Sequence, residues 1–194
     1  MGGGVVDEAV AALRAAHTAL AGLPVEVLTR PQLLAVLDEV ETVSCQLPAH
    51  RHGLVVRLQT QATATQLGAK SWRQVLAIRW GLSSKEAGRR LAEAAVLAPR
   101  PTVSGEPLEP VLAYTAAAQT HGAITAEHVH VLCKAMESIP AGVDAATRHQ
   151  VEADLVRVAL GVGPKDVERY RRPVDFSARS GRPRTRRHPT GGAP

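Results

Sequence analysis

Gly68-Ala-Lys-Ser-Trp-Arg-Gln-Val-Leu-Ala-Ile-Arg-Trp-Gly-Leu-Ser-Ser-Lys-Glu-Ala-Gly-Arg-Arg-Leu91 reads as two helices joined by a tight turn. Ser71 followed by Gln74, and Ser83 followed by Glu86, have the spacing of a capping box. In such a box the hydroxyl accepts from the N–H three residues on, while the longer side chain reaches back to the cap's own N–H. Gly81, just before the second start signal, can take the positive φ of a sharp turn. Trp72, Val75, Leu76 and Trp80 share one arc of the first helix, and Ala87, Leu91, Ala94 and Ala98 line one side of the second. Ala77 and Ala87 are small where two backbones must approach. Short helix, Gly-containing turn and second helix make the outline of a helix-turn-helix. Arg90 departs from it, standing where such units carry an aliphatic residue, and Arg79 must extend its head out of the apolar arc.

Charge isolates the same stretch. Residues 68–91 hold six bases (Lys70, Arg73, Arg79, Lys85, Arg89, Arg90) and one acid, Glu86. Residues 1–67 and 92–160 are net acidic, at −2 and −4, and residues 161–194 are again basic, at +6. A basic pair inside an acidic body is an electrostatic footprint for phosphates. Lys85 and Arg89 are expected at the groove of double-stranded DNA, with Lys70, Arg73 and Arg90 on its backbone. That reading requires the heads of Lys85 and Arg89 to stand clear of carboxylates. A helical hairpin with a solvated basic face is the plainer reading of the same residues.

The rest of the chain bounds the class. A length of 194 residues suits one domain. Aromatics make up 3% and Phe176 is the single phenylalanine, so the core is built of Ala, Leu and Val at helical spacings. Cys45 and Cys133 form no disulfide framework, which points to a reducing, cytoplasmic setting. The start, Met1-Gly-Gly-Gly-Val-Val-Asp-Glu8, lacks the basic region of a signal peptide. No apolar run reaches the roughly 18 residues of a membrane span.

In chain order, an Ala-rich helix is expected over 5–21, ended by Gly22 and Pro24. Thr29 and Pro31 open a helical stretch over 31–64, broken or kinked at Pro48. Its Leu33, Leu37, Val40, Leu47, Leu54 and Leu58 are near-heptad. Intramolecular packing is the expected use of that stripe, with a homo-oligomer through 31–64 as the alternative. Four prolines between Pro99 and Pro110 mark an extended connector. Further helices are expected at 110–121, from the Thr125 cap, at 144–160, and from Pro164. The Arg/Pro/Gly-rich tail over 173–194 has almost nothing to bury and is expected to be disordered.

Catalytic and metal motifs are missing from the pattern. His50 with His52, and His128 with His130, are two apart and cannot share a helix face, so surface or capping roles are expected. Asp38 with Glu41, and Glu152 with Asp154, read as carboxylates on solvated helix faces. There is no nucleophile elbow, Walker loop or His-Glu-x-x-His, and no asparagine anywhere in the chain. No catalytic residue, metal or cofactor is assigned.

Leu28-Thr-Arg-Pro-Gln-Leu-Leu-Ala-Val-Leu-Asp-Glu-Val-Glu41, Trp80-Gly-Leu-Ser-Ser-Lys-Glu-Ala-Gly-Arg-Arg-Leu-Ala-Glu-Ala94, Gly105-Glu-Pro-Leu108 and Gly122-Ala-Ile-Thr-Ala-Glu-His-Val129 resemble the N-terminal domain of the 13E12 repeat family, domain of unknown function 222. The resemblance covers about residues 25–172. It implies a helical domain that full-length members follow with an HNH nuclease module. Because the chain ends before such a module and has no asparagine, a truncated copy is expected, its last twenty-odd residues read in a shifted frame. The expectation is therefore a single all-α, bundle-like domain of seven or eight helices containing a helix-turn-helix-like pair. Residues 1–24 form a leading helix, 25–172 the family-type domain and 173–194 the tail. A non-catalytic DNA-binding module is the first functional reading. A helical dimerisation module and an inert relic are the alternatives.

Overall fold

The computed structural model describes residues 3–100 and 107–171. The tail expected to be disordered lies outside them. The fold is all-α, with eight α-helices among the described residues: α1 Gly3–Ala21, α2 Arg30–Gln61, α3 Trp72–Trp80, α4 Ser84–Leu97, α5 Ala113–Thr120, α6 Ala126–Glu137, α7 Ala145–Ala159 and α8 Pro164–Arg171. Residues 101–106 of the expected connector lie outside the described residues; at its two ends Arg100 and Leu108 exchange backbone hydrogen bonds of 2.9 and 3.0 Å. No described helix is long and apolar enough to cross a membrane.

Local sequence explains where most helices begin. Thr29 caps α2, and its N–H donates to Gln32 Oε1 at 2.9 Å. Ser71, Ser83, Thr125 and Asp144 each accept from the backbone N–H three residues on. α2 runs through Pro48 as one unbroken helix of 32 residues. α5 has no cap of its own: Leu112 precedes it without a side-chain bond. The cap comes from α7 instead, where Glu152 Oε1 accepts from Thr115 N (2.8 Å) and Thr115 Oγ1 (2.9 Å). Glu152 is thus buried, not on a solvated face as expected from sequence. A free helix N-terminus inside the core requires an acceptor, and a carboxylate also complements the helix dipole.

The core has two parts. The larger joins α5, α6, α7 and α8 around Ile124, Val129, Leu132, Leu155 and Val167, with Leu97 of α4 reaching in. The smaller sits under α3 and α4, around Ala69, Val75, Leu76 and Ala87. α4 joins them, since it packs on α2, α3 and α5. The inner face of α2 carries Cys45, His52 and Val55. Most of its near-heptad stripe does not pack inside: Leu33, Leu37, Val40, Leu47 and Leu54 are exposed, Leu54 at 72%, and Leu58 is partly buried. α1 buries no residue, and Val5, Val6, Val10, Leu13 and Leu20 are exposed along it. The physical reason is close approach. Gly122, in the turn after α5, abuts Thr42, and α2 turns the face with Cys45, His52 and Val55 to α4 and α5 while most of its leucines are left outside.

Candidate nucleic-acid interface

The helix pair forms as the sequence predicts, from Ser71 to Leu97. Gly81 ends α3 in the left-handed region at φ 64°, and Leu82 N donates to Ala77 O at 3.0 Å. Ala87 is fully buried against α3. Trp72 is half-buried, while Trp80 is 45% exposed and contributes little to the arc. The two capping boxes are only half made. Ser71 and Ser83 cap as expected, but Gln74 accepts from Lys70 N instead (2.9 Å), and Glu86 turns away altogether.

Glu86 turns toward arginines. Arg89 Nε and Nη2 donate to its two oxygens at 2.8 and 2.7 Å, and Arg90 Nε donates at 2.6 Å. Arg89 Nη1 also donates to Glu93, a carboxylate with 7% of its side chain exposed. The hydrogen bonds from Arg89 pull Glu86 down to about 2, while burial pushes Glu93 up. Arg51 of α2 joins the same cluster, its pKa lowered by burial and then by Arg90.

This geometry sorts the five expected contact residues. Lys70, Arg73 and Lys85 are exposed and have no carboxylate at ion-pair distance among the described residues. Arg89 and Arg90 do not stand clear; both are half-buried and held by Glu86. The expectation for Arg89 fails for a plain reason. Residues three and four apart on a helix are neighbours, and Glu86 and Glu93 flank it at those spacings. Beyond Lys85 and Arg89, the exposed residues of α4 are Ser84, Ala92 and Ala95, of which Ser84 alone carries a donor or acceptor that could read a base edge.

Arg73 and Lys85 line an open groove of about 870 Å³ between α4 and α6, together with Gly88, His130, Lys134 and Glu137. Gly88 makes room: a Cβ there would lie 3.1 Å from Arg73 Nε. Sequence reasoning missed Lys134 and His130. Their signal was weak, because α6 lies forty-odd residues downstream in a net-acidic segment.

The model of the family described as domain of unknown function (DUF222) matches residues 34–189. The chain belongs to the DUF222 family. Among its relatives, uncharacterized protein MT1160 of Mycobacterium tuberculosis (strain CDC 1551 / Oshkosh) is 40% identical over 159 residues, 82% of this chain and 38% of that protein. Uncharacterized protein Rv1128c of Mycobacterium tuberculosis (strain ATCC 25618 / H37Rv) is 40% identical over 159 residues, 82% of this chain and 35% of that protein. Uncharacterized protein Mb1179c of Mycobacterium bovis (strain ATCC BAA-935 / AF2122/97) is 37% identical over 161 residues, 81% of this chain and 35% of that protein. The chain thus spans little more than a third of the length of these DUF222 relatives. No solved structure matches it.

Proposed function

We propose that this DUF222 chain is a non-catalytic module that binds duplex DNA through its phosphate backbone. The supporting observation is the set of exposed cations on the helix pair, Lys70, Arg73 and Lys85, without a carboxylate partner among the described residues, in a segment flanked by acidic sequence. Arg89 and Arg90 act indirectly in this reading, as the ion-paired frame that holds α4. Small outward side chains on α4 favour phosphate contact over base readout. As the 13E12 resemblance implies, such a module would hold DNA for a separate cutting unit.

Binding of a 20-base-pair duplex across a salt series tests the reading. Three phosphate contacts give a log–log slope of about −2.7. Lys85→Ala flattens that slope by about one unit, whereas a random-sequence duplex binds as well as any other. Deleting 173–194 leaves the contribution of Lys85 in place. A slope carried wholly by the tail overturns the proposal.

A second reading rests on the exposed stripe of α2. Leu33, Leu34, Leu37, Val40, Leu47 and Leu54 form an apolar face along a 32-residue helix, a surface suited to a second copy of this chain. Sedimentation of the chain and of Leu37→Asp tests it: a dimer that the substitution splits supports the interface, and a monomer at micromolar concentration removes it.

A further inference from the structure

The groove beside α4 has a second wall, and its chemistry matches that of the first. Arg73 comes from α3, Lys85 from α4 and Lys134 from α6, so three helices bring exposed cations to one concavity. Of the two carboxylates lining it among the described residues, Glu86 is taken up by Arg89 and Arg90, which leaves Glu137 as the opposing charge there. We propose that α6 completes a phosphate seat: Lys134 and His130 face Arg73 and Lys85 beside Gly88, and together they hold a backbone phosphate of duplex DNA. This rests on the DNA-binding reading above and specifies its site.

Each side chain has a separate task. The guanidinium of Arg73 is laid close to α4 because Gly88 offers no side chain to displace it, and its planar fork suits a phosphate. Lys85 and Lys134 act as point charges from opposite sides. His130, on the α6 wall, is half-buried. Burial lowers its pKa first, followed by Lys134, Arg89 and Lys85, with Glu137 opposing. A neutral imidazole there donates one N–H to an anion without adding charge. Glu137 weakens the seat and is its internal control.

The test uses the full chain and a 20-base-pair duplex. Lys134→Ala is expected to weaken binding about 5- to 10-fold near 0.1 M salt and to flatten the salt slope by about one unit. Glu137→Gln is expected to tighten binding, a gain that loss of structure cannot produce. Duplex binding should also raise the His130 pKa, read from its imidazole resonances, because the phosphate neutralises Arg73, Lys85, Arg89 and Lys134 around it. If Lys85→Ala weakens binding while Lys134→Ala and Glu137→Gln leave it unchanged, the α6 wall is overturned and the helix-pair reading stands. If the wild-type chain retains no duplex even at 50 mM salt, both fall.

Discussion

Arg89 and Glu93 are joined within α4, the arginine 30% exposed at the surface and the carboxylate 7% exposed beneath it. The pair, with Glu86 on the other side of Arg89, ties the outer edge of α4 to its buried face. Arg89→Ala leaves Glu93 buried without its cation. It is expected to cost about 2–3 kcal/mol in urea unfolding, below the range for a fully buried pair because Arg89 is partly solvated. Lys85→Ala, one turn earlier and unpaired, should change stability by less than about 0.5 kcal/mol. Equal effects of the two substitutions would contradict the assignment of Arg89 as a structural residue.

Gly122 and Thr42 set the distance between the α5–α6 turn and α2. Gly122 has φ 73°, and a Cβ on it would lie 2.8 Å from Thr42 Cγ2 and 2.9 Å from Thr42 O. The second neighbour is backbone and cannot step aside. Gly122→Ala therefore combines a left-handed conformation with a clash, and should destabilise by about 2–4 kcal/mol. A change below about 1 kcal/mol would show that α2 can shift freely.

Gly88 makes the opposite prediction. It lies inside α4, where glycine costs about 1 kcal/mol relative to alanine. Its neighbour is the mobile end of Arg73, not backbone. Gly88→Ala should stabilise the chain by about 0.5–1 kcal/mol and weaken duplex binding, since Arg73 loses its place on α4. Unfolding and binding measured on the same variant check both signs.

His52 links stability to pH. It is 3% exposed, and among the described residues neither its Nε2 nor Oε1 of neighbouring Gln119 has a partner in full hydrogen-bond geometry, though Gln119 lies close enough to oppose the shift. Burial, then the Arg51 charge, pushes its pKa from 6.5 down to about 4. The folded state thus refuses a proton that the unfolded chain accepts. Its contribution is complete above about pH 6.5 and is lost as pH falls toward 4, by on the order of 2–3 kcal/mol. Glu93 and Glu152, both raised by burial, act in the opposite sense, favouring the folded state as they take up protons. The difference between wild type and His52→Leu isolates the histidine: their stability gap should shift in favour of the variant between pH 7 and pH 4.5. A gap independent of pH would mean that His52 titrates normally.

Much of the architecture was legible because it depends on neighbours in the chain. Ser71, Ser83 and Thr125 cap the helices that follow them, and Gly81 takes the left-handed turn, because hydrogen bonds to N–H groups three residues away need no distant partner. His128 fits its expected capping role and, beyond it, reaches Val162 O at 2.9 Å to fix the turn before α8. The exposure of Lys70, Arg73 and Lys85 was also readable from their helix faces, but that Glu86 pairs with Arg89 and Arg90 and leaves Lys85 without it was not.

The remainder was settled by which helix meets which. Sequence places Glu152 and His52 on helix faces but cannot say that α5 and α4 arrive to cover them. It gives α2 two faces worth burying, and only its packing on α4 and α5 buries the one with Cys45, His52 and Val55 and leaves Leu37, Leu47 and Leu54 in solvent. It also keeps Lys134 and His130 apart from Arg73 and Lys85, which the packing of α4 and α6 brings to a common groove. Caps and turns are short-range bonds fixed by spacing along the chain, whereas burial and charge convergence arise only when segments far apart in sequence become neighbours in space.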